Sequence, residues 1–278
     1  MDMRHQSPAV TGELGYVVPS TEKPYNYMYE PPPGQAWENC EYERRPMRIH
    51  DARMLASALG LEQSGFELRD HPLSGIDFDD GDAVRAGYYR EIELLALALT
   101  GGEKAIVFDH QVRRREPGRP ALAFGRKGDG KRPSAVGRVH NDYSEQSGRR
   151  RLQLVLGDAP NDRPYMILNF WRPFIDPAID TPLAVCDARS FARGDWVAAD
   201  IRYPDRTGEI YLARYSPMHM WYYYPRMTPD EVLVFKSYDS RLDCPVRMTP
   251  HCAFDDPSAP ADAPLRKSIE ARCLVILE

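Results

Sequence analysis

Cysteine is scarce in this sequence, and its placement excludes two common kinds of site. The chain holds Cys40, Cys186, Cys244, Cys252 and Cys273. An odd number of cysteines with no Cys-x-x-Cys spacing indicates neither a disulfide framework nor a zinc clip. We therefore expect reduced thiols, with Cys252 packed in the core.

Long apolar runs are absent as well. No run approaches the roughly 20 residues of a membrane span, and the first residues, MDMRHQSPAV, lack the apolar region of a signal peptide. Internal repeats and low-complexity segments are also missing. We predict a cytoplasmic protein that does not bind membranes.

An excess of positive charge is the third absence. Lysine and arginine total 36 against 41 aspartates and glutamates, which gives a net charge of -5 and a pI near 5.9. This balance argues against a nucleic-acid partner. The 278 residues, 42% of them hydrophobic, can bury the core of one large domain. No oligomeric state is indicated.

The most informative stretch is GRVHNDYS, residues 137–144. If it is a strand, His140 and Asp142 leave the same face, because side chains alternate along a strand. Such a pair offers two ligands of the 2-His-1-carboxylate triad, which holds non-haem Fe(II) and leaves other coordination positions open. His-x-Asp alone is a weak signal, since a His beside an Asp more often forms a surface or core pair.

The third ligand must come from elsewhere in the chain, and His251 in MTPHCAF is the best candidate. Fifteen residues later, Arg266 and Ser268 stand at the head of an apolar strand. An arginine fork suits a carboxylate such as the distal one of 2-oxoglutarate. His219 and His110 are the alternatives for the third ligand, but no Arg-x-Ser follows His219 at a comparable interval.

A family resemblance rests on several ordered sequence blocks between about Val139 and Ile276. They are VHNDYS, LNFWRP, PLAVCDARS, YYYPRMTPDEVLVFKSYDS and TPHCAFDDPSAPADAPLRKSIEARCLVI, with a weaker likeness in EKPYNYMYEPPPG and RIHDAR. These blocks resemble the Fe(II)/2-oxoglutarate oxygenases that include gibberellin desaturase, the fungal aspergillic acid hydroxylase and the cephamycin methoxylation protein.

The resemblance implies a fold, a set of cofactors and a reaction class. The fold would be mainly β with flanking helices, a double-stranded β-helix (jelly roll, cupin-like). Iron would be held by His140, Asp142 and His251, with 2-oxoglutarate and O₂ as co-substrates. We therefore expect hydroxylation or desaturation of a small-molecule metabolite in specialised metabolism. The resemblance does not name the substrate.

The pattern along the chain predicts a single domain over residues 1–278. It comprises an N-terminal arm (1–46), helical and strand decoration (47–135) and the jelly-roll core (136–278). Helices are predicted from the N-cap Asp51 to Gly60, over 83–100 before Gly101, and over 144–156. Strands are predicted over 13–18, 104–110, 165–171, 183–186, 196–203, 209–215, 220–224, 232–238, 246–251 and 269–277.

Several further residues are candidates for lining the cavity. For the co-substrate we predict Arg266, Ser268, Asn169 and Arg172, with Arg272 left open as a rival anchor. Asn169 and Trp171 share one strand face. Trp171 could instead be core, and Arg172 could form a structural ion pair. For the substrate we predict contacts from Trp171, Tyr224, Lys236 and Tyr238, with the last two pointing the same way.

A basic loop over residues 113–135 precedes the predicted iron-binding strand. It could be a lid that helps to hold an acidic substrate, or a solvated loop. Its basic residues are Arg113, Arg114, Arg115, Arg119, Arg126, Lys127, Lys131 and Arg132.

Three other functions compete with the dioxygenase interpretation. A 2-oxoglutarate-independent non-haem iron oxidase would use the same triad, but it would not need Arg266 and Ser268. A non-catalytic jelly roll that binds small molecules would be expected to lose a metal ligand, and none is missing. A nucleic-acid demethylase would need a basic track with stacking aromatics, so it ranks last.

Overall fold

A computed structural model describes residues 8–73, 75–118, 122–123, 135–157 and 162–278, and its two main sheets form a mainly β jelly roll. In chain order the strands are β1 (Ala9–Val17), β2 (Tyr25–Tyr27), β3 (Tyr42–Asp51), β4 (Phe66–Asp70), β5 (Lys104–Arg114), β6 (Leu122–Ala123), β7 (Ala135–Val136), β8 (His140–Asn141), β9 (Tyr165–Pro173), β10 (Leu183–Cys186), β11 (Trp196–Arg202), β12 (Thr207–Ala213), β13 (Trp221–Tyr223), β14 (Glu231–Asp239), β15 (His251–Ala253) and β16 (Lys267–Ile276).

The larger sheet has nine strands in the order β1-β3-β13-β10-β15-β8-β12-β11-β2, and the smaller has five in the order β4-β14-β9-β16-β5. Strands β6 and β7 form a separate parallel pair. Residues 9–17 and 25–27 supply the two outermost strands of the larger sheet.

One hydrophobic cluster fills the space between the two sheets. It joins Trp171, Leu233 and Phe235 of the five-stranded sheet to Val185 and Tyr222 of the nine-stranded sheet. All five side chains are buried, so this inner space is shielded from solvent and can enclose a reactive centre.

A helix covers the outer face of the five-stranded sheet. It runs from α1 (Gly81–Ala83) through a π-helical turn (Val84–Tyr88) into α2 (Tyr89–Thr100). Ile92 and Ala96 pack against Leu168 and Phe170. The inner and outer faces of the sheet are therefore both buried, which explains why β9 is buried along its whole length.

The helix signals in the sequence are confirmed. Gly101 ends α2 in a left-handed conformation with φ of 67°, and Ser144 caps the third helix, α3 (Glu145–Leu156). The segment after Asp51 is a 3₁₀ helix (Ala52–Ala58) in which the Asp51 side chain accepts from the Arg53 N–H. Short 3₁₀ helices also span Ala188–Ser190 and Arg193–Asp195.

One strand prediction is wrong in its position. The predicted strand over 246–251 is observed only as His251–Ala253, and residues 246–250 have no regular structure. Pro250 has no N–H to donate to a ladder, and the Thr249 side chain bonds to the Gly65 carbonyl. Most of the basic loop, at 119–121 and 124–134, lies outside the described residues, so its predicted role as a lid stays a prediction.

Candidate metal centre

Two rows of side chains meet in the space between the sheets. On the nine-stranded sheet, His251 pairs directly with His140. On the five-stranded sheet, Arg272 pairs directly with Asn169. Directly paired residues share one face of a sheet. The Asn169 amide Nδ2 lies 2.8 Å from Oδ2 of Asp142, the residue that follows β8. This hydrogen bond connects the two sheets beside the histidines.

His140, Asp142 and His251 converge on one point. Their donor atoms all lie within 4.8 Å of one another. Nε2 of His140 is 3.7 Å from Oδ1 of Asp142, and the two imidazole rings have centroids 4.4 Å apart. Ligands that each stand about 2.0–2.2 Å from one ion fall within such a distance of each other. The three residues could therefore hold a single metal ion.

Both histidines have Nε2 free to bind a metal. Nδ1 of His140 lies 2.8 Å from the carbonyl oxygen of Arg138, and Nδ1 of His251 lies 3.0 Å from that of Thr249. A carbonyl only accepts, so Nδ1 carries the proton and a neutral ring keeps its Nε2 lone pair free. Burial and the adjacent His251 hold the pKa of His140 well below its usual range, which favours this neutral form.

Asp142 presents one carboxylate oxygen to the histidines and has the other already engaged. Oδ2 accepts from Nδ2 of Asn169 and from Nε of Arg272, both at 2.8 Å. Burial alone would raise the pKa of this carboxyl, but the charge of Arg272 and the hydrogen bond from Asn169 lower it well below its usual range. The group is an anion whose Oδ1 faces the histidines.

Arg266 forms a second, cationic part of the site. It is buried, and its Nε donates to Ser268 Oγ at 3.1 Å and its Nη1 to the Thr181 carbonyl at 2.8 Å. Burial and the neighbouring Arg113 lower the pKa of Arg266 to about 9, so it remains charged at neutral pH. A buried cation without full compensation favours an anionic ligand.

Trp171 adds an unsatisfied donor beside this arginine. The Arg266 guanidinium lies 5.1 Å from the centre of the indole ring. The indole Nε1 is buried and meets no hydrogen-bond acceptor among the residues that the structure describes. Buried polar groups are nearly always paired, so this N–H fits a site that receives a ligand acceptor.

Arg172, predicted as a co-substrate anchor, points away from this centre. It lies three residues from Asn169 on β9, so it leaves the opposite face of the sheet. Its guanidinium donates to the His71 carbonyl at 2.8 Å, lies 2.7 Å from the His71 ring nitrogen and sits near Tyr88. It serves packing under the outer helix.

Lys236 and Tyr238 do not point the same way, and that prediction is wrong. The register of β14 shifts between them, so that Lys236 pairs with Leu168 and Tyr238 with Ile167. Adjacent residues of β9 face opposite sides, and the bulge at Ser237 therefore turns the two side chains apart.

Lys236 lies in a separate charged cluster. Its Nζ stands 2.9 Å from both Asp239 and Glu62, whose carboxylates also pair with Arg241. Glu62, Asp239 and Cys244 form a second group with donor atoms within 4.8 Å. The two cations already neutralise its carboxylates, so this group is an ion-pair network.

The remaining predicted substrate residues lie apart from the histidines. Tyr238 packs on Tyr165 with ring centroids 5.6 Å apart. Tyr224 packs edge-on against Phe66 at 6.5 Å in the cluster between the sheets. Both rings pack in hydrophobic clusters.

Neither rival histidine lies near Asp142. His219 is bonded to Tyr16 Oη at 3.2 Å and Asp195 at 3.1 Å, and His110 lies 2.9 Å from Tyr89 Oη. Within the described ranges, the structure brings His251, and not these two, to the other ligands.

Sequence reasoning missed the roles of Arg272 and Phe235. Arg272 was considered only as an anchor for 2-oxoglutarate, whereas the structure places it on Asp142. The phenyl ring of Phe235 lies 4.6 Å from the ring of His251. Alternation along β16 carried a signal, because Ser268, Glu270 and Arg272 share one face.

The chain matches a known protein family over most of its length. Residues 14–276 match the family described as "Oxidoreductase/YMDC permease-like domain". Over the described part of the chain, no helix combines the length and apolarity needed to cross a membrane.

Similar proteins carry consistent names. The chain is 30% identical over 275 residues to the Fe(II)/2-oxoglutarate-dependent dioxygenase nvfI of Aspergillus novofumigatus, which covers 95% of each chain. It is 31% identical over 256 residues to the hydroxylase/desaturase efuI of Hormonema carpetanum, covering 86% of this chain and 85% of that one. The solved structure of the iron and alpha-ketoglutarate-dependent endoperoxidase NvfI superimposes with a TM-score of 0.85 at 27% identity, covering 98% and 99% of the two chains.

Proposed function

This chain belongs to the family of Fe(II)/2-oxoglutarate-dependent dioxygenases, and from that premise we propose that His140, Asp142 and His251 hold its iron. The observation that carries the assignment is their convergence within 4.8 Å in the space between the sheets. The family membership indicates Fe(II), 2-oxoglutarate and O₂ as the cofactor and co-substrates.

The protonation states of the three residues fit this iron. Both imidazoles offer Nε2 because their Nδ1 atoms face backbone carbonyls, and Asp142 offers Oδ1 because donors engage Oδ2. Three protein ligands leave open coordination positions, as the facial triad requires. Bound iron with its co-substrates supplies the oxidising power that breaks a substrate C–H bond, and the chain fixes the geometry of that reaction.

We assign the distal carboxylate of 2-oxoglutarate to Arg266 and Ser268. Arg266 is buried, cationic and only partly bonded by the protein, and Trp171 beside it has an unsatisfied N–H. The other two arginines considered from the sequence have different tasks, because Arg172 faces outwards and Arg272 is bonded to Asp142. Asn169 likewise supports Asp142.

The reaction is hydroxylation or desaturation of a small-molecule metabolite in specialised metabolism. Two relatives named hydroxylase/desaturase cover 86% and 92% of the chain. Of the four predicted substrate residues, Trp171 lies on the inner face near Arg266, so we keep it as a contact. Lys236, Tyr224 and Tyr238 are left out. The net charge of -5 supports a substrate other than nucleic acid. Five free cysteines support a reducing, cytoplasmic location, without membrane binding.

A metabolite screen tests this function. Purified protein with Fe(II), 2-oxoglutarate and O₂ is incubated with candidate metabolites, and succinate and product mass are measured together. We expect some small molecules to stimulate succinate release and to gain one oxygen or lose two hydrogens, and the Asp142→Ala protein to do neither. Stimulation by peptides or oligonucleotides alone would overturn the small-molecule assignment. Substrate oxidation without any need for 2-oxoglutarate would indicate the co-substrate-independent oxidase instead.

A further inference from the structure

The Asp142 carboxylate is held by two neighbouring strands at once. Asn169 on β9 and Arg272 on β16 are directly paired in the sheet, and each donates to Oδ2 of Asp142 at 2.8 Å. The two donors therefore approach the same oxygen from adjacent backbone positions. Rotation of the carboxylate would break two charge-assisted hydrogen bonds.

Both donors are themselves fixed. Ser237 Oγ donates to Oδ1 of Asn169 at 2.8 Å, which sets the amide so that Nδ2 faces Asp142. Nη1 of Arg272 bonds to Asp109 at 2.9 Å, and its Nη2 bonds to Glu270 at 2.7 Å. Two carboxylates thus hold the guanidinium plane and direct Nε at Asp142.

From this geometry we infer that Arg272 and Asn169 are positioning residues that keep Asp142 a one-oxygen metal ligand, with only Oδ1 available. The inference rests on the proposed function, because it assumes that Asp142 binds the metal. A carboxylate that bound through both oxygens would occupy an additional coordination position, and the site needs its open positions for the co-substrates. Groups that orient a ligand commonly change metal affinity when they are altered.

Calorimetric titration of the metal-free protein with Co(II), an oxygen-stable probe, tests the inference without relying on activity. Arg272→Met should weaken Co(II) binding roughly 10- to 100-fold, and Asn169→Leu should also weaken it. The visible spectrum of bound Co(II), which reports its coordination, should also change. Arg172→Met is the matched control, since it removes a buried arginine from the outer face; it should lower thermal stability and leave the Co(II) affinity unaltered.

The outcomes separate the inference from the function on which it rests. Wild-type affinity and spectrum in a folded Arg272→Met protein would overturn the positioning role alone. Absence of Co(II) binding in the wild type, or full binding by Asp142→Ala, would overturn the metal site and the inference with it. If Arg272→Met does not fold, Asp109→Asn and Glu270→Gln take its place. Each releases one anchor of the guanidinium and should weaken Co(II) binding, and unchanged affinity in both would count against the inference.

Discussion

Arg266, just before β16, and Arg272, within it, have different tasks. Arg272 has acidic partners at all three positions of its guanidinium, namely Asp142, Asp109 and Glu270. Among the residues that the structure describes, the Arg266 side chain bonds to a hydroxyl and a carbonyl, with no carboxylate on its guanidinium. Arg266 is therefore the arginine of the two whose guanidinium is free to pair with a carboxylate, which is why the anionic co-substrate is assigned there.

Arg266→Ala should raise the KM for 2-oxoglutarate far more than that for the prime substrate. The loss of a charge-assisted hydrogen-bonded pair costs about 1.5–3 kcal/mol, which is roughly 10- to 150-fold in binding. Steady-state kinetics with each substrate varied in turn measures the difference. An unchanged KM for 2-oxoglutarate, or an equal increase produced by Arg172→Ala, would show that the anchor is assigned to the wrong arginine.

Single residues were predictable where the chemistry depends on local spacing. Strand alternation suggested His140 and Asp142 as a pair, and the nearby Arg-x-Ser suggested His251. The family resemblance supported all three. The odd spacing from Asn169 to Arg172 already placed these residues on opposite faces. The orientation of Lys236 was not predictable, since both faces of β14 are buried and no alternation of polarity reveals the bulge.

At the scale of elements, α3 closes one end of the inner space through a very close contact. A Cβ atom on Gly148 would stand 2.4 Å from Cδ2 of Tyr238, which lies in the same strand as Phe235. The absence of a side chain at Gly148 therefore lets the helix approach this strand. The sequence predicted the helix and its N-cap, but nothing local to residue 148 indicated which strand it contacts.

Gly148→Ala should destabilise the protein by about 1–3 kcal/mol, as overpacking in a filled core does. Gly87→Ala is the matched control, since Gly87 is also helical and its added Cβ would make only ordinary contact with Ile76 at 3.5 Å. The control should be neutral or stabilising by up to about 1 kcal/mol. Urea unfolding measures both changes. A Gly148→Ala protein as stable as Gly87→Ala would contradict the close packing of α3.

At the scale of the whole molecule, buried and half-buried histidines link stability to pH. Burial lowers the pKa of His71, His110 and His219 in the folded protein. In the unfolded chain the pKa of a histidine is about 6.5. Between the folded pKa values and about 6.5 the unfolded chain binds more protons. The free energy of unfolding therefore rises with pH through that window and is level above it.

The metal-free protein should thus lose stability as the pH falls below about 6.5, before its carboxylates titrate. Urea unfolding in steps from about pH 8 to about pH 5 follows the change. His219→Gln should make the decline shallower. Stability that stays level or increases as the pH falls through this range would show that these histidines are not held neutral by the fold.

The jelly roll itself was predictable from the number of strands, their turn-separated spacing and the family resemblance, and the fold class is confirmed. The sheet order was not, because β8, β10 and β15 are short segments far apart in the chain that meet only in the nine-stranded sheet. Their pairing places His140 beside His251. Long-range register of this kind has no signal in local sequence.

The central claim is that His140, Asp142 and His251 hold one iron ion per chain, and anaerobic calorimetric titration with Fe(II) tests it most directly. The wild type should bind one ion, and His140→Ala, Asp142→Ala and His251→Ala should each lose that binding while remaining folded by circular dichroism. Replacing His219 by alanine should leave the titration unchanged, because its ring is bonded to Tyr16 and Asp195 elsewhere in the fold. Full-affinity binding of one Fe(II) by the His251→Ala protein would contradict the account.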